Sequence, residues 1–260
     1  MFIDTHCHLN FRVFKGDVAN VIKRAKKAGV EEFIVPGTDL ATSERAVELA
    51  HIYPNVYAAV GIHPHHTLEL TSQTIRFYIG ALSRLKELAQ DKKVVAIGEI
   101  GLDYHQYKGS SGVSPKEKQK DLFLEQLNIA QELNLPVVIH CREAFEDIFA
   151  VLPNTLRGVL HCFTGGLFHL EEALGRGLLI GFDGNITYNS SLLPAVTKTP
   201  LDKLLLETDA PLLTPRPLRG ERNEPKNIVF VASFIAKTKK ITRLEVINQT
   251  TENTRRLFNF

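Results

Sequence analysis

The chain has 260 residues, 44% hydrophobic and 23% charged, and 31 basic against 29 acidic side chains leave a net charge of +2. With a mean hydropathy of -0.06, this composition excludes a disordered, collagenous or coiled-coil chain, and the charge is too small to announce a nucleic-acid partner by itself. The opening Met1-Phe2-Ile3-Asp4-Thr5-His6 is charged at once, no stretch approaches the ~18 apolar residues of a membrane span, and three widely spaced cysteines do not make a disulfide framework. The expectation is a cytoplasmic protein with no membrane partner and no obligate protein partner.

In chain order, apolar runs alternate with stretches of helical period. Phe2–Asp4 reads as a strand, 17–28 as a helix, 32–35 as a strand and 41–51 as a helix. Strand 56–61, helix 73–89, strand 94–98 and helix 116–133 follow, then strand 137–140, helix 144–152, strand 159–163, helix 167–174 and strands 178–182 and 203–207. Eight near-continuous apolar strands separated by helices predict a (β/α)8 TIM barrel of the α/β class, and about 250 residues is its usual size. No Pro/Gly/Ser-rich linker divides the chain, so residues 1–260 are expected to form one domain. The least regular segments, 104–115 and 214–225, are expected to be loops after the fourth and eighth strands.

The chemistry gathers at the strand ends. His6 and His8 are two apart, so a strand period of two aims both imidazoles one way and Cys7 the other. Glu99 closes the fourth strand, His140 the fifth, and Asp209 follows the eighth; His161 lies on the sixth. In a (β/α)8 barrel these converge on the C-terminal rim, where active sites are built. Alone, each has a plain structural explanation, as a cap, a salt-bridge partner or a satisfied core histidine. Four histidines and two carboxylates on one rim are costly to bury without a partner, roughly 2 to 7 kcal/mol per neutral group and more for charges. Divalent cations supply that partner. Imidazole with carboxylate suits Zn, Fe, Mn or Co, and carboxylate with water admits Mg. Six ligands exceed one tetrahedral site, so two ions about 3.5 to 4 Å apart are expected, with Glu99 as the bridge.

Seven strings carry a resemblance from residue 4 onward, in order. They are Asp4-Thr5-His6-Cys7-His8-Leu9, Gly61-Ile62-His63-Pro64, Ile97-Gly98-Glu99-Ile100-Gly101-Leu102-Asp103-Tyr104, Leu135-Pro136-Val137-Val138-Ile139-His140-Cys141-Arg142, Leu160-His161-Cys162-Phe163-Thr164-Gly165, Leu206-Glu207-Thr208-Asp209-Ala210-Pro211 and Arg222-Asn223-Glu224-Pro225. The series resembles the TatD family of metal-dependent deoxyribonucleases, in the amidohydrolase superfamily. The resemblance implies cleavage of DNA phosphodiesters, often from the 3′ end, with single-stranded DNA ends as the substrate. It also implies a first metal on His6, His8, Glu99 and Asp209, and a second on Glu99, His140 and His161.

Two cations would acidify a water and neutralise phosphoryl charge, which makes Asp209 the candidate base. His63, after the third strand, is a candidate for reaching the phosphate or leaving oxygen; a polar turn with His65 and His66 is its bland reading. Arg142 suits a phosphate bidentately, or a salt bridge to Glu143 or Glu146. Arg219 and Arg222, with Arg216 and Lys226, put basic charge on the last loop, although Arg222 and Glu224 also make a natural pair. Tyr104, Tyr107, Phe163 and Tyr188 are candidate base-stacking groups, with core packing the default for Phe163. Cys7, Cys141 and Cys162 each follow a histidine ligand and read as small hydrophobes turned outward. Other classes stay open: the same cage serves hydrolysis of a small ester, amide or lactone, and a metal-stabilised binding module would need no base.

Overall fold

The computed structural model describes residues 1–67, 75–107 and 114–260. Eight strands, β1 (Phe2–Asp4), β2 (Val30–Pro36), β3 (Val56–Val60), β4 (Val94–Asp103), β5 (Val137–Arg142), β6 (Gly158–Leu160), β7 (Leu179–Phe182) and β8 (Leu204–Leu206), lie in sequence order in one sheet. All seven neighbouring pairs are parallel. The sheet closes on itself through the main chain. Thr5 N donates to Leu206 O at 3.1 Å, Cys7 and Ala210 form a parallel bridge, and His8 N donates to Ala210 O at 2.7 Å.

Both faces of the strands are buried, which is why their sequences read as continuous apolar runs. Ile34, Ala59, Val95, Val138, Val159, Leu179 and Leu205 point inward and fill the barrel, while neighbours such as Phe33, Val35, Ala58 and Val60 pack outward against helices. The outer layer comprises α1 (Val18–Lys27), α2 (Leu40–Ile52), α3 (Ile75–Leu88), α4 (Lys116–Glu132), α5 (Phe145–Val151), α6 (Leu167–Gly175), α7 (Leu193–Lys198), α8 (Ile228–Lys239) and α9 (Arg243–Phe258). The last three were not among the helices read from periodicity. Helix α9 starts at a capping box in which Thr242 Oγ1 accepts from Glu245 N at 3.1 Å and Thr242 N donates to Glu245 Oε2 at 2.8 Å. Its far end delivers Leu257 and Phe258 to the inner core, and Phe260 stacks on Tyr57 at 3.9 Å between ring centroids. The barrel floor is thereby sealed and the opposite rim left open.

Three elements depart from expectation at that rim. Strand β4 does not stop at Gly98 but continues to Asp103. Its register slips between Ile97 and Ile100, which pair with Val137 and Ile139, so one extra residue is accommodated around Glu99. Glycines that look like strand breakers serve the strand here: at Gly101, with φ +145°, a Cβ would fall on the His140 carbonyl oxygen. Strands β6 and β8 end earlier than expected, before His161 and Glu207. His161 N still reaches Ile139 O at 3.1 Å, but Cys162 turns into the left-handed region at φ +45° and ends the ladder. Of the two expected loops, 104–115 is irregular where described and its residues 108–113 lie outside the described residues; residues 73–74 of the expected third helix do so too.

Candidate metal centre

The extended chain after β1 aims His6 and His8 into the mouth with Nε2 atoms 3.1 Å apart, while Cys7 turns back so that Sγ approaches Ile34 O at 3.7 Å. Across the barrel seam, Asp209 N donates to His6 O at 2.8 Å, and Asp209 sits in the left-handed region at φ +53°. Aspartate tolerates that conformation better than most residues, and such strain concentrates at functional positions. His6 Nε2 stands 3.5 Å from Glu99 Oε2 and 3.7 Å from Asp209 Oδ1; for His8 Nε2 the same distances are 3.6 and 3.4 Å. Ligand bonds of about 2.0 to 2.1 Å in a tetrahedron imply edges of about 3.3 Å. Five of the six edges among these four atoms lie between 3.1 and 3.7 Å.

The other oxygen of Glu99 faces a second group. Oε1 lies 2.9 Å from His140 Nδ1 and 2.8 Å from His161 Nε2, and those nitrogens are 3.2 Å apart. His63 Nε2 is 3.4 Å from the same oxygen. One carboxylate thus serves two clusters of imidazoles, one through each oxygen.

The electrostatics favour ligation. Burial and the neighbouring His161 lower His6 to about 4, and burial takes His63 to about 3, so both are neutral imidazoles. Burial pushes the Glu99 and Asp209 carboxyls up, but the surrounding histidines outweigh it and hold both below their ordinary values, that is, ionised. His8 Nδ1 lies 3.3 Å from Pro36 O, a hydrogen bond that puts a proton on Nδ1 and turns Nε2 toward the cluster, where Asp209 and Glu99 raise the His8 pKa against its burial. A single shared proton satisfies one of these contacts at a time. A divalent cation satisfies all of them, so the donor set fits the group that the sequence implied.

Two further carboxylates stand behind the second cluster and were not assigned a role from sequence. Asp103 Oδ2 gathers His140 Nε2 at 3.1 Å, His65 Nε2 at 2.8 Å and the Tyr107 hydroxyl at 2.7 Å. Burial raises Asp103, but its bonds to His140 and His65 dominate and keep it ionised; against its own burial, His140 is raised to about 9 by Asp103 and Glu99. Asp103 holds one His140 proton on Nε2, so Nδ1, which points at Glu99, is the nitrogen whose proton a cation would displace. Glu207, fully buried, accepts from Cys162 N and places Oε1 3.8 Å from His161 Nδ1. Spacing was the available signal: Asp103 is four residues beyond Glu99 on one strand, and Glu207 is two before Asp209.

The centre floors a cavity of about 810 Å³ whose wall includes His63, His65, Tyr107, Arg142, Cys162, His169, Asn185, Tyr188 and Leu212, a size typical of small-ligand sites. The structure sorts the expected outer residues. Arg142 is exposed, donates to the Tyr107 hydroxyl at 2.9 Å and lies over that ring at 4.9 Å. The expected partners are taken: Glu143 by His105 at 2.6 Å and Glu146 by His169 at 3.4 Å. Arg219 lies over the Tyr188 ring at 4.0 Å.

Arg222 departs from the expected phosphate contact. It is held by Asp17 at 2.6 Å and Glu224 at 2.9 Å, in a network shared with Arg24, and it packs over Phe14. Tyr104 is not part of the cavity wall: its hydroxyl donates to Asp147 at 2.7 Å and Lys116 covers its ring. Phe163 is core. Cys7 and Cys141 are buried as expected, although Cys141 also lines the cavity, and Cys162 is not a hydrophobe turned outward. It borders the cavity, and Asn185 Nδ2 donates to its Sγ at 3.4 Å.

A closed eight-stranded barrel whose open rim carries a carboxylate shared between imidazole clusters defines a metal-dependent hydrolase. Comparison with known proteins narrows the class. The chain belongs to the TatD related DNase family, whose model matches residues 3–259. It is 41% identical to an uncharacterized metal-dependent hydrolase, YabD, of Bacillus subtilis, with 99% of each chain covered. It is 38% identical to the 3′-5′ ssDNA/RNA exonuclease TatD of Erwinia tasmaniensis, over 98% of this chain and 99% of that one. The crystal structure of YjjV, a TatD homolog from Escherichia coli K12, superposes with a TM-score of 0.88 at 35% identity, covering 100% of this chain and 98% of the other. Among the described residues, no helix is long and apolar enough to cross a membrane.

Proposed function

We propose that the chain is a deoxyribonuclease that uses two divalent cations, drawn from Zn, Mn, Mg, Co or Fe, to hydrolyse phosphodiester bonds at the 3′ ends of single-stranded DNA. The observation that carries this reading is the division of Glu99, with Oε2 among His6, His8 and Asp209 and Oε1 among His140, His161 and His63. His6, His8, Glu99 and Asp209 would hold one ion, and Glu99, His140 and His161 the other. When bound, two such ions supply Lewis acidity toward the phosphoryl oxygens and lower the pKa of water toward ~7.

The residues of the chain do the rest. Asp209, ionised beside His6 and His8, accepts the proton of the attacking water as its oxygen adds to phosphorus. His63 Nδ1 accepts the His65 amide at 3.2 Å, so the His63 proton resides on Nε2, beside Glu99 and facing the cluster. That N–H donates a hydrogen bond to the leaving oxygen as the phosphorus–oxygen bond breaks, and the leaving oxygen takes its proton from solvent. Asp103 keeps His140 oriented throughout. Relatives named as exonucleases of single-stranded DNA and RNA support the choice of substrate and polarity.

The test is a panel of divalent metals assayed on labelled single-stranded DNA carrying a 3′ or a 5′ block. The reading expects shortening from the 3′ end with one or more of the five metals and protection by the 3′ block alone. Cleavage indifferent to either block, or none with any metal, would overturn it.

A further inference from the structure

Three arginines around the mouth differ in what holds them. Arg222 is spent on Asp17 and Glu224. Arg142 and Arg219 are exposed and rest instead on tyrosines of the cavity wall, their guanidinium carbons 4.9 Å and 4.0 Å from the ring centroids of Tyr107 and Tyr188. Among the described residues, neither has a carboxylate within salt-bridge distance.

The two pairs also stand on different sides of the metal centre. Tyr107 follows β4 and Arg142 ends β5, while Tyr188 follows β7 and Arg219 follows β8. In a closed barrel numbered in sequence order, the β4/β5 ends face the β8/β1 ends across the mouth. Arg142, Tyr107 and Tyr188 line the cavity that also holds Glu99, and Arg219 lies beside it on Tyr188.

A guanidinium laid on an aromatic ring covers one face of that ring and offers its own outer face. That face is planar, cationic and weakly hydrated, and it stacks on bases as an aromatic ring does. The tyrosine acts as a backstop that fixes the plane. On the β4/β5 side the backstop is itself fixed, because the Tyr107 hydroxyl donates to Asp103 at 2.7 Å while accepting from Arg142 at 2.9 Å.

Building on the nuclease reading above, we propose that Arg142 on Tyr107 and Arg219 on Tyr188 form a two-sided stacking clamp. Each guanidinium takes one base, on either side of the phosphate held at the metal centre. Bases inside a duplex have both faces covered by their neighbours, so the clamp selects strands whose bases can splay apart. It is a specificity device, and it ties preference for single strands to stacking rather than to net positive charge.

The experiment compares Arg142→Lys and Arg219→Lys with the parent protein on three probes: a dodecathymidylate, the same strand with tetrahydrofuran spacers replacing its nucleosides, and bis(p-nitrophenyl) phosphate. Lysine keeps the charge and loses the plane. Each lysine variant is expected to raise KM for the dodecathymidylate about tenfold, beyond any change on the nitrophenyl diester. On the spacer strand the parent should lose the same factor and the variants nothing more. Arg222→Ala should bind the dodecathymidylate like the parent.

Lysine variants with parental KM would mean that the arginines act as charges on phosphate, and equal losses on all three probes would mean that they support the centre; either result overturns the clamp. Failure of the nuclease reading shows itself separately, as a parent that cleaves neither strand. The clamp is then read by fluorescence anisotropy of the labelled dodecathymidylate, where lysine variants that bind as tightly as the parent would overturn it.

Discussion

The two halves of the metal centre are supported in different ways. The half at the barrel seam rests on main chain: Asp209 N donates to His6 O, His8 N donates to Ala210 O, and His8 Nδ1 sits at Pro36 O. The half across Glu99 rests on side chains. His140 is held by Asp103, and His161 faces Glu207 at 3.8 Å. Backbone support is fixed once the barrel closes, whereas side-chain support runs outward: the oxygen of Asp103 that orients His140 also holds His65 and Tyr107 in the cavity wall. The seam half is therefore the anchor of the centre, and the other half is the one that the mouth can influence.

The largest expected effect breaks the anchor. Asp209→Asn removes a ligand and the proton acceptor together, and hydrolysis of single-stranded DNA should fall by at least ~10² to 10⁴, with circular dichroism reporting an intact barrel. Activity within a few-fold of the parent would show that another group takes the proton. A smaller effect sharpens the contrast. Asp103→Asn should weaken binding of the second metal equivalent by ~10- to 100-fold in calorimetry, while the first equivalent binds as in the parent. Equal weakening of both equivalents would mean that Asp103 supports the rim as a whole rather than His140.

Much of this was legible in the sequence because barrel strands bury both faces and present their last residues to one rim. The eight runs and the gathering of all six candidate ligands at one rim could be read from that rule. Other features depend on partners far along the chain. Arg219 and Arg222 are three residues apart on one loop, yet Arg222 is locked because α1 brings up Asp17, 205 positions away, while Arg219 meets Tyr188. Locally, only Glu224, two residues beyond Arg222, distinguishes them. The support role of Asp103 was hidden for the same reason, since His65 and Tyr107 reach it from separate loops. The end of β4 was misplaced because the continuous apolar run stops at Gly98 and Glu99, whereas the strand resumes past a bulge where Gly98 and Gly101 admit the close approach of β5. Cys162 was misread because strand alternation was carried one residue past the point where the backbone turns left-handed.

The central claim is that Glu99 belongs to both halves. Elemental analysis of bound metal in Glu99→Ala and His140→Ala, beside the parent, tests it most directly. Two equivalents are expected in the parent, a loss of more than one equivalent in Glu99→Ala, and the loss of about one in His140→Ala. Parental metal content in the Glu99→Ala protein would contradict the shared centre.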